Sequence, residues 1–268
     1  MNKISIAALT LFLLLGVVAP AEASHSWGPP YHWARVNNPF TLKLGDNVGS
    51  AWDAYLAEAS VDWNASAVLD TQITPGLTNS RTCRGTNGRI EVCAAKYGNN
   101  GWLGLASISI TGGTHITKGT AKLNDTYFTT PTYNTPAWRR LVMCQEIAHD
   151  FGLDHQDEGF GAPNLGTCMD YTNDPDGGAE YGPSNEHPNA HDFEQLETIY
   201  THLDSSTTIS AALTNTIGAL RAALKGQNQD HSEFGRAIGY DLRGKANEYR
   251  LDRGNGDETI THVFWLPE

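Results

Sequence analysis

One stretch near the middle of the chain constrains it more than any other; it reads Cys-Gln-Glu-Ile-Ala-His-Asp-Phe-Gly-Leu-Asp-His. Gln145 and His149 are four residues apart, so they lie on one face of a helix, and Glu146 borders that pair. Gly152 can adopt a positive φ that ends the helix and turns the chain back, which brings His155 towards the same point. Three donor side chains and one carboxylate then converge, as in a catalytic zinc site with a nearby base.

A second short stretch, at 168–171, reads Cys-Met-Asp-Tyr. Together the two stretches resemble the signature of the metzincin metalloproteases, H-E-x-x-H-x-x-G-x-x-H followed by a methionine turn. The matching positions are Glu146, His149, Gly152, His155 and Met169. The chain departs from the family at the first ligand position, where it has Gln145 in place of histidine. The resemblance is specific over 145–171 and only general over the rest of 31–203.

The resemblance implies both a fold class and a cofactor. We expect an α+β, metzincin-like zincin with a twisted mixed sheet, a long active-site helix, a methionine turn and a following C-terminal helix. It implies one catalytic Zn²⁺ held by Gln145, His149 and His155. Glu146 is then the general base, which takes a proton from the attacking water and delivers it to the leaving amine. Met169 is expected to pack beneath the metal without binding it.

Gln145 weakens the expected metal site. A glutamine oxygen is a neutral donor and harder than imidazole, whereas zinc favours nitrogen, sulfur and carboxylate donors. Gln145 is therefore either a poor ligand or a polar residue hydrogen-bonded in a vestigial site. In astacin-like and serralysin-like metzincins, a tyrosine two residues after the methionine reaches the zinc or the oxyanion. Tyr171 has that spacing, so it is a candidate catalytic residue, with a buried core tyrosine as the alternative.

The strand expected over 103–110 has a specific counterpart in the family. It resembles the edge strand on the upper rim of the cleft, to which an extended peptide substrate adds as an antiparallel partner. The alternative is an ordinary strand inside the sheet.

The start of the chain indicates export. Residues 1–23 have the pattern of a signal peptide, with Lys3, an apolar run and a small-x-small cleavage site at Ala21–Ala23. A membrane anchor is disfavoured because the apolar run is short. We therefore expect a secreted, extracellular protein that has no membrane attachment after cleavage. The net charge of −12 argues against nucleic-acid binding.

Four cysteines in an exported chain suggest two disulfides. We pair Cys83 with Cys93, because the glycine-rich residues between them indicate a tight turn. That leaves Cys144 with Cys168, a bridge that would clamp the methionine turn to the active-site helix. Free buried thiols are the alternative.

The periodicity of the remaining chain predicts a domain at 24–204. The active-site helix begins at Thr135 as its cap, with Pro136 at the first helical position. A first helix is expected over 50–64, with Asp46 or Ser50 as its cap. Strands are expected at 31–36, 68–74, 89–95 and 103–110, with a further strand within 118–128 that has an Asn-Asp turn at its end. A last helix is expected after Pro188, whereas 156–188 is irregular and functional.

Residues 205–268 form a C-terminal extension with a different composition. We expect a helix over 209–224, then strands at 247–251 and 259–265 joined by a Gly-Asn-Gly turn. The extension is either a small appended module or an extra edge of the main domain.

Several weaker site candidates complete the sequence. Asp174 and Asp176 are candidate Ca²⁺ ligands, but the twelve-residue calcium-loop pattern is absent, which favours a solvated turn. His187, His191 and His115 are spare candidates for an additional zinc ligand, and His187 is preferred because its loop should line the cleft.

Three functions are consistent with these features. The first is a secreted, monomeric zinc endopeptidase that acts on peptide or protein substrates, which the intact Glu146 favours. The second is a catalytically weak or inactive protein of the same fold that binds extracellular peptide or polysaccharide, which Gln145 favours. The third is a toxin-type or immunity-type interaction protein that uses the C-terminal hairpin.

Overall fold

The computed structural model describes residues 25–27, 31–209 and 234–267. The expected signal peptide at 1–23 lies outside these residues, and so does all but the first residue of the helix expected over 209–224. Within the described ranges, no helix combines the length and the apolar character that crossing a membrane requires.

The fold is α+β, with a mostly sheet core and few helices. One nine-stranded sheet has the strand order β3-β2-β4-β6-β5-β9-β8-β7, and β1 pairs with β6 beside this path. The strands are β1 His32–Trp33, β2 Phe40–Asn47, β3 Leu69–Pro75, β4 Ile90–Ala95, β5 Trp102–Thr111, β6 His115–Asn124, β7 Arg236–Tyr240, β8 Ala246–Gly254 and β9 Asp257–Trp265. The helices are α1 Asp53–Trp63, α2 Asp125–Phe128, α3 Pro136–His149 and α4 Ala190–Ile199.

The sheet is mixed, as expected, and its two halves run differently. β2 is parallel to β3 and β4, and β4 is parallel to β6. From β6 onward every pairing is antiparallel, through β5, β9, β8 and β7. Helix α3 packs on β5 and β6 and also against α1. The end of α3 therefore lies close to the antiparallel half of the sheet.

Helix α3 begins where the sequence predicts. The side chain of Thr135 accepts a hydrogen bond from the backbone N–H of Trp138 at 3.3 Å, and Pro136 occupies the first turn. All twelve residues from Ala137 to His149 other than Arg140 are buried. A helix buried on nearly all sides is held by packing more than by its own propensity.

Some of the expected boundaries are wrong. Helix α1 follows Trp52, which caps it without a side-chain hydrogen bond, so neither Asp46 nor Ser50 is its cap. The strand expected within 118–128 starts earlier than expected, at His115, but it ends at Asn124 as the expected Asn-Asp turn requires; the Asn124 side chain accepts from Thr126 N–H and starts the short helix α2. The strand expected at 31–36 shortens to β1.

The C-terminal extension continues the main sheet. Its predicted hairpin is present as β8 and β9, and β9 pairs along the whole length of β5. The described strands of 205–268 are thus an extra edge of the main sheet. As a consequence, β5 is not an edge strand: it lies between β6 and β9, and the expectation of a free edge at 103–110 is wrong.

Both expected disulfides are present. Cys83 is bonded to Cys93, and Cys144 is bonded to Cys168. No described cysteine is free. The second bridge joins α3 directly to the turn that contains Met169.

Candidate metal centre

The end of α3 is shaped by Gly152, which has a φ of +102°. A Cβ atom there would lie 2.3 Å from the carbonyl oxygen of Tyr31, so a side chain is excluded by both space and backbone conformation. The N–H of Gly152 donates to the carbonyl of His149, and that of Leu153 to the carbonyl of Ala148. The reversal places His155 beside His149, as the sequence predicts.

His149 and His155 point their Nε2 atoms at each other across 3.0 Å. The Nδ1 atom of His149 donates to the carbonyl of Leu153 at 2.8 Å, because a carbonyl can only accept. The Nδ1 atom of His155 lies 3.2 Å from the carboxylate of Glu158. Both rings then carry their proton on Nδ1, so two Nε2 lone pairs face each other, an arrangement that a shared cation stabilises.

A third imidazole, that of His262, completes the cluster. Its ligating atom and those of His149 and His155 all lie within 4.8 Å of one another, and all three residues are buried. His262 belongs to β9, in the C-terminal extension. No motif spacing connects a strand residue near position 262 to the helix end, so the sequence alone does not indicate His262.

Strand register explains why His262 reaches the helix end. His262 lies opposite Ala106 on β5, and Phe264 lies opposite Gly104. Residues directly opposite in an antiparallel pair project from the same face of the sheet. Gly104 projects from the same face as Ala106, and its Cβ direction meets the Glu146 side chain, so that face is the one that α3 covers. The small side chain of Ala106 leaves room for the imidazole.

Glu146 is fully buried, and neither of its carboxylate oxygens has a hydrogen-bond partner in the described part of the chain. A Cβ atom at Gly104 would lie 2.2 Å from Oε1 of Glu146, so the glycine provides the space for this carboxylate. Burial raises the pKa of Glu146 well above its usual value, and the nearby Asp150 adds to the shift. A nearby cation would act in the opposite direction.

Gln145 is also fully buried, but its position has an explanation that needs no metal. Its amide nitrogen donates to the carbonyl oxygen of Cys168 at 2.8 Å, which ties α3 to the methionine turn alongside the disulfide. Its Oε1 atom has no hydrogen-bond partner among the described residues.

Tyr171 lies in the cluster. Its hydroxyl group is 3.1 Å from Nε2 of His262 and 3.4 Å from Nδ2 of Asn247, and its ring packs against that of His155 at 4.4 Å between centroids. Burial raises its pKa well above the usual value, which keeps the hydroxyl protonated. Met169 is fully buried in the main hydrophobic core.

The surroundings favour neutral imidazoles. Burial lowers the pKa of His149 and of His262 well below the usual value, and the neighbouring histidines lower each further. The ring of Trp27 stacks on that of His149, with 5.1 Å between centroids and 11° between planes. Neutral imidazole is the form that binds a metal ion.

A pocket of about 360 Å³ leads to the cluster and includes His155 and His262 in its walls. The carboxylates in its lining give it an acidic character. They belong to Asp154, Asp157, Glu158 and Glu248. Positively charged groups are therefore the ones that this entrance attracts.

The other candidate residues lie elsewhere. His187 bonds to Asp62 at 2.7 Å, and His191 packs near His25. His115 belongs to a separate group with His32 and Asp204. Asp174 and Asp176 are in none of the groups of His, Cys, Asp and Glu side chains that could hold a metal within the described ranges.

Comparison with known proteins was made at three levels. No family model matches the chain, and no curated protein matches it. The similar solved structures include one titled "Structure of myroilysin", with 12% sequence identity and a TM-score of 0.36. That match covers 63% of this chain and 96% of the other.

Proposed function

We propose that this protein is a secreted zinc-dependent endopeptidase of metzincin-like fold, with its metal held by His149, His155 and His262. The proposal is carried by one observation: three buried imidazoles converge within reach of a single ion. Three protein ligands and an open fourth position are typical of catalytic zinc sites. In this proposal His262 takes the role that the sequence assigned to Gln145. The two disulfides support an extracellular location.

The donor set fits zinc. Nitrogen ligands bind Zn²⁺ at about 2.0–2.1 Å, so two ligands of a tetrahedral site are about 3.3 Å apart. The 3.0 Å between the Nε2 atoms of His149 and His155 is close to that value. Metal-binding histidines also donate their other N–H to a carbonyl or a carboxylate. Leu153 and Glu158 accept these bonds here.

The chain's own residues support a hydrolytic role. Zinc in such a site polarises a carbonyl group and lowers the pKa of a water molecule to about 7. Glu146 accepts the proton of the attacking water and passes it to the leaving amine. The Tyr171 hydroxyl donates a hydrogen bond to the developing oxyanion. The acidic pocket favours substrates with a positively charged side chain beside the scissile bond.

Zinc content tests the ligand assignment. We expect His262→Ala to bind one zinc ion fewer per chain than the wild type, and Gln145→Ala to keep the wild-type number. His187→Ala is a control, since it removes an exposed histidine–carboxylate pair outside the cluster. Equal zinc content in the wild type and His262→Ala, both folded by circular dichroism, would contradict the assignment.

Hydrolysis of a casein-type substrate tests the activity. We expect the wild type to cleave and Glu146→Gln to lose at least a hundredfold in kcat while keeping its zinc. In addition, Gln145→His in the His262→Ala background is expected to regain zinc, because it restores the histidine that the family has at that position. Cleavage that survives unchanged in Glu146→Gln would overturn the role of Glu146.

A second candidate function is a zinc-binding protein without peptidase activity. It is favoured by β9, which occupies the edge of β5 that an extended substrate would use, and by the complete burial of Glu146. This second function is supported if the wild type binds one zinc ion that His262→Ala lacks and does not hydrolyse the casein-type substrate.

A further inference from the structure

A second group of histidines lies where β1, the start of β6 and the chain after α4 meet. The Nε2 atoms of His115, His32 and His202 lie 3.2, 3.4 and 3.6 Å from a single atom, Oδ1 of Asp204. The ligating atoms of His32, His115 and Asp204 all lie within 4.8 Å of one another. Three segments distant in sequence therefore bring three imidazoles to one carboxylate oxygen.

The contacts of His115 and His32 with Asp204 are within hydrogen-bonding range but longer than strong histidine–carboxylate bonds. Charge-assisted N–H···O bonds are about 2.7–2.9 Å long. The protein contains a pair of that kind elsewhere, since Nδ1 of His187 lies 2.7 Å from the carboxylate of Asp62. Oδ1 of Asp204 has too few lone pairs to accept three such bonds. The other oxygen, Oδ2, is bonded to Arg35.

The distances match neighbouring ligands of a tetrahedral metal ion. Ligands at about 2.0–2.1 Å from zinc are separated from each other by about 3.3 Å, and the Asp204 oxygen lies 3.2 Å from the His115 nitrogen and 3.4 Å from the His32 nitrogen. We propose that His32, His115 and Asp204 bind a second Zn²⁺ ion, and that His202 contacts Asp204 from outside this ligand set. Histidine nitrogen and carboxylate oxygen are donors that zinc favours.

The surroundings of Asp204 support this role. Its other oxygen, Oδ2, accepts from the backbone N–H of Arg35 at 3.1 Å and from the guanidinium at 3.2 Å. These bonds fix the carboxylate and aim Oδ1 at the imidazoles, as outer-shell bonds do for metal ligands. The ring of His32 is nearly perpendicular to those of His115 and His202, so the three rings approach the same point from different directions.

Exposure gives the ion a route into the site. The side chains of His115 and His202 are 35% and 54% exposed, whereas that of His32 is buried. His32 and His115 are also register partners in the short pairing of β1 with β6. A zinc ion here would fasten β1, a strand of only two residues, to the sheet and to the end of α4. The proposed role is therefore structural.

Metal counting with matched variants tests the second site. We expect His115→Ala to bind one zinc ion fewer than the wild type and His187→Ala to bind the same number. His262→Ala should retain the zinc of the second site, and the double variant His115→Ala/His262→Ala should bind none. Added zinc should raise the Tm of His262→Ala but not that of the double variant. The His262→Ala variant reports on the second site alone, and the His115→Ala variant reports on the first site alone. Failure of one proposal is therefore distinguishable from failure of the other.

Two results would overturn the proposal. The first is a folded His115→Ala protein with undiminished zinc. The second is a His262→Ala protein that holds no zinc and gains no Tm on its addition, an outcome that does not depend on whether His115→Ala folds. Either one would assign the four residues to an ion-pair network only.

Discussion

Ala106 on β5 and His262 on β9 are directly opposite each other, on the face of the sheet that α3 covers. The methyl side chain of Ala106 thus sets the space available to the third imidazole. We expect Ala106→Val to displace His262, lower the zinc content by one ion per chain and cost about 1–3 kcal/mol of unfolding free energy. Zinc analysis and urea unfolding measure both effects.

Ser107→Ala is the control for that substitution. Ser107 is the next residue of β5 and projects from the other face, where its hydroxyl pairs with that of Thr261 at 2.9 Å. The Ser107→Ala variant should keep the wild-type zinc content. If Ala106→Val binds as much zinc as Ser107→Ala, then the strand register does not position the ligand.

Gly104 and Glu146 are expected to be energetically coupled. A Cβ atom at 104 would lie 2.2 Å from the Glu146 carboxylate, so Gly104→Ala forces that side chain out of its place. We expect a loss of about 1–3 kcal/mol in the wild type and a smaller loss in the Glu146→Ala background. A double-mutant cycle by chemical denaturation measures the coupling. Equal losses in both backgrounds would show that another contact is responsible.

Asp170 should make the stability depend on pH. Burial raises its pKa to about 6 from the ordinary 3.8, although Leu165 N–H and Asn185 bond to its Oδ2. Between these two pH values the folded protein holds a proton that the unfolded chain has released, so this group's contribution to stability falls as the pH rises. Relative to Asp170→Asn, the wild type should lose up to about 3 kcal/mol between pH 4 and pH 7.

Unfolding of both proteins at several pH values and constant ionic strength measures that difference. Both series use metal-free protein, so no loss of bound metal in acid contributes to the difference. A difference that is flat, or that grows in favour of the wild type with rising pH, would refute the assignment of the shift to burial of Asp170.

The two disulfides should differ in their effect. The Cys144–Cys168 bridge has a sequence separation of 24 and the Cys83–Cys93 bridge one of 10. A longer closed loop restricts the unfolded chain more, and the expected losses on replacing each pair by alanine are about 3.5 and about 2.7 kcal/mol. Thermal and urea unfolding of the two double variants give the comparison. A larger loss for the shorter loop would point to packing around Cys83 as the dominant factor.

Local sequence signals predicted the helix and its reversal well. Thr135, Pro136 and Gly152 each act through their own backbone or side chain within a few residues, so their effects can be recognised from the sequence alone. The same holds for the hairpin of β8 and β9, whose turn residues are contiguous. These are the parts of the fold that local chemistry determines.

The pairing of β9 with β5 could not be predicted in the same way. Alternation of residue types along a strand indicates which side chains share a face, but not which strand lies alongside. One signal was present: Leu103 to Ile110 is nearly continuous in small and apolar residues, a pattern typical of a strand covered on both faces. His262 was missed for the same reason, since its role depends on that pairing.

The contact between Tyr171 and His262 joins residues 91 positions apart in the sequence. During synthesis, α3 and the methionine turn leave the ribosome well before β9 does. A nascent chain at that stage has only two of the three imidazoles and cannot hold the ion in the same way. In the proposed metal centre, loading of the ion would therefore follow the pairing of β9 with β5, because only that pairing brings the third imidazole to the helix end.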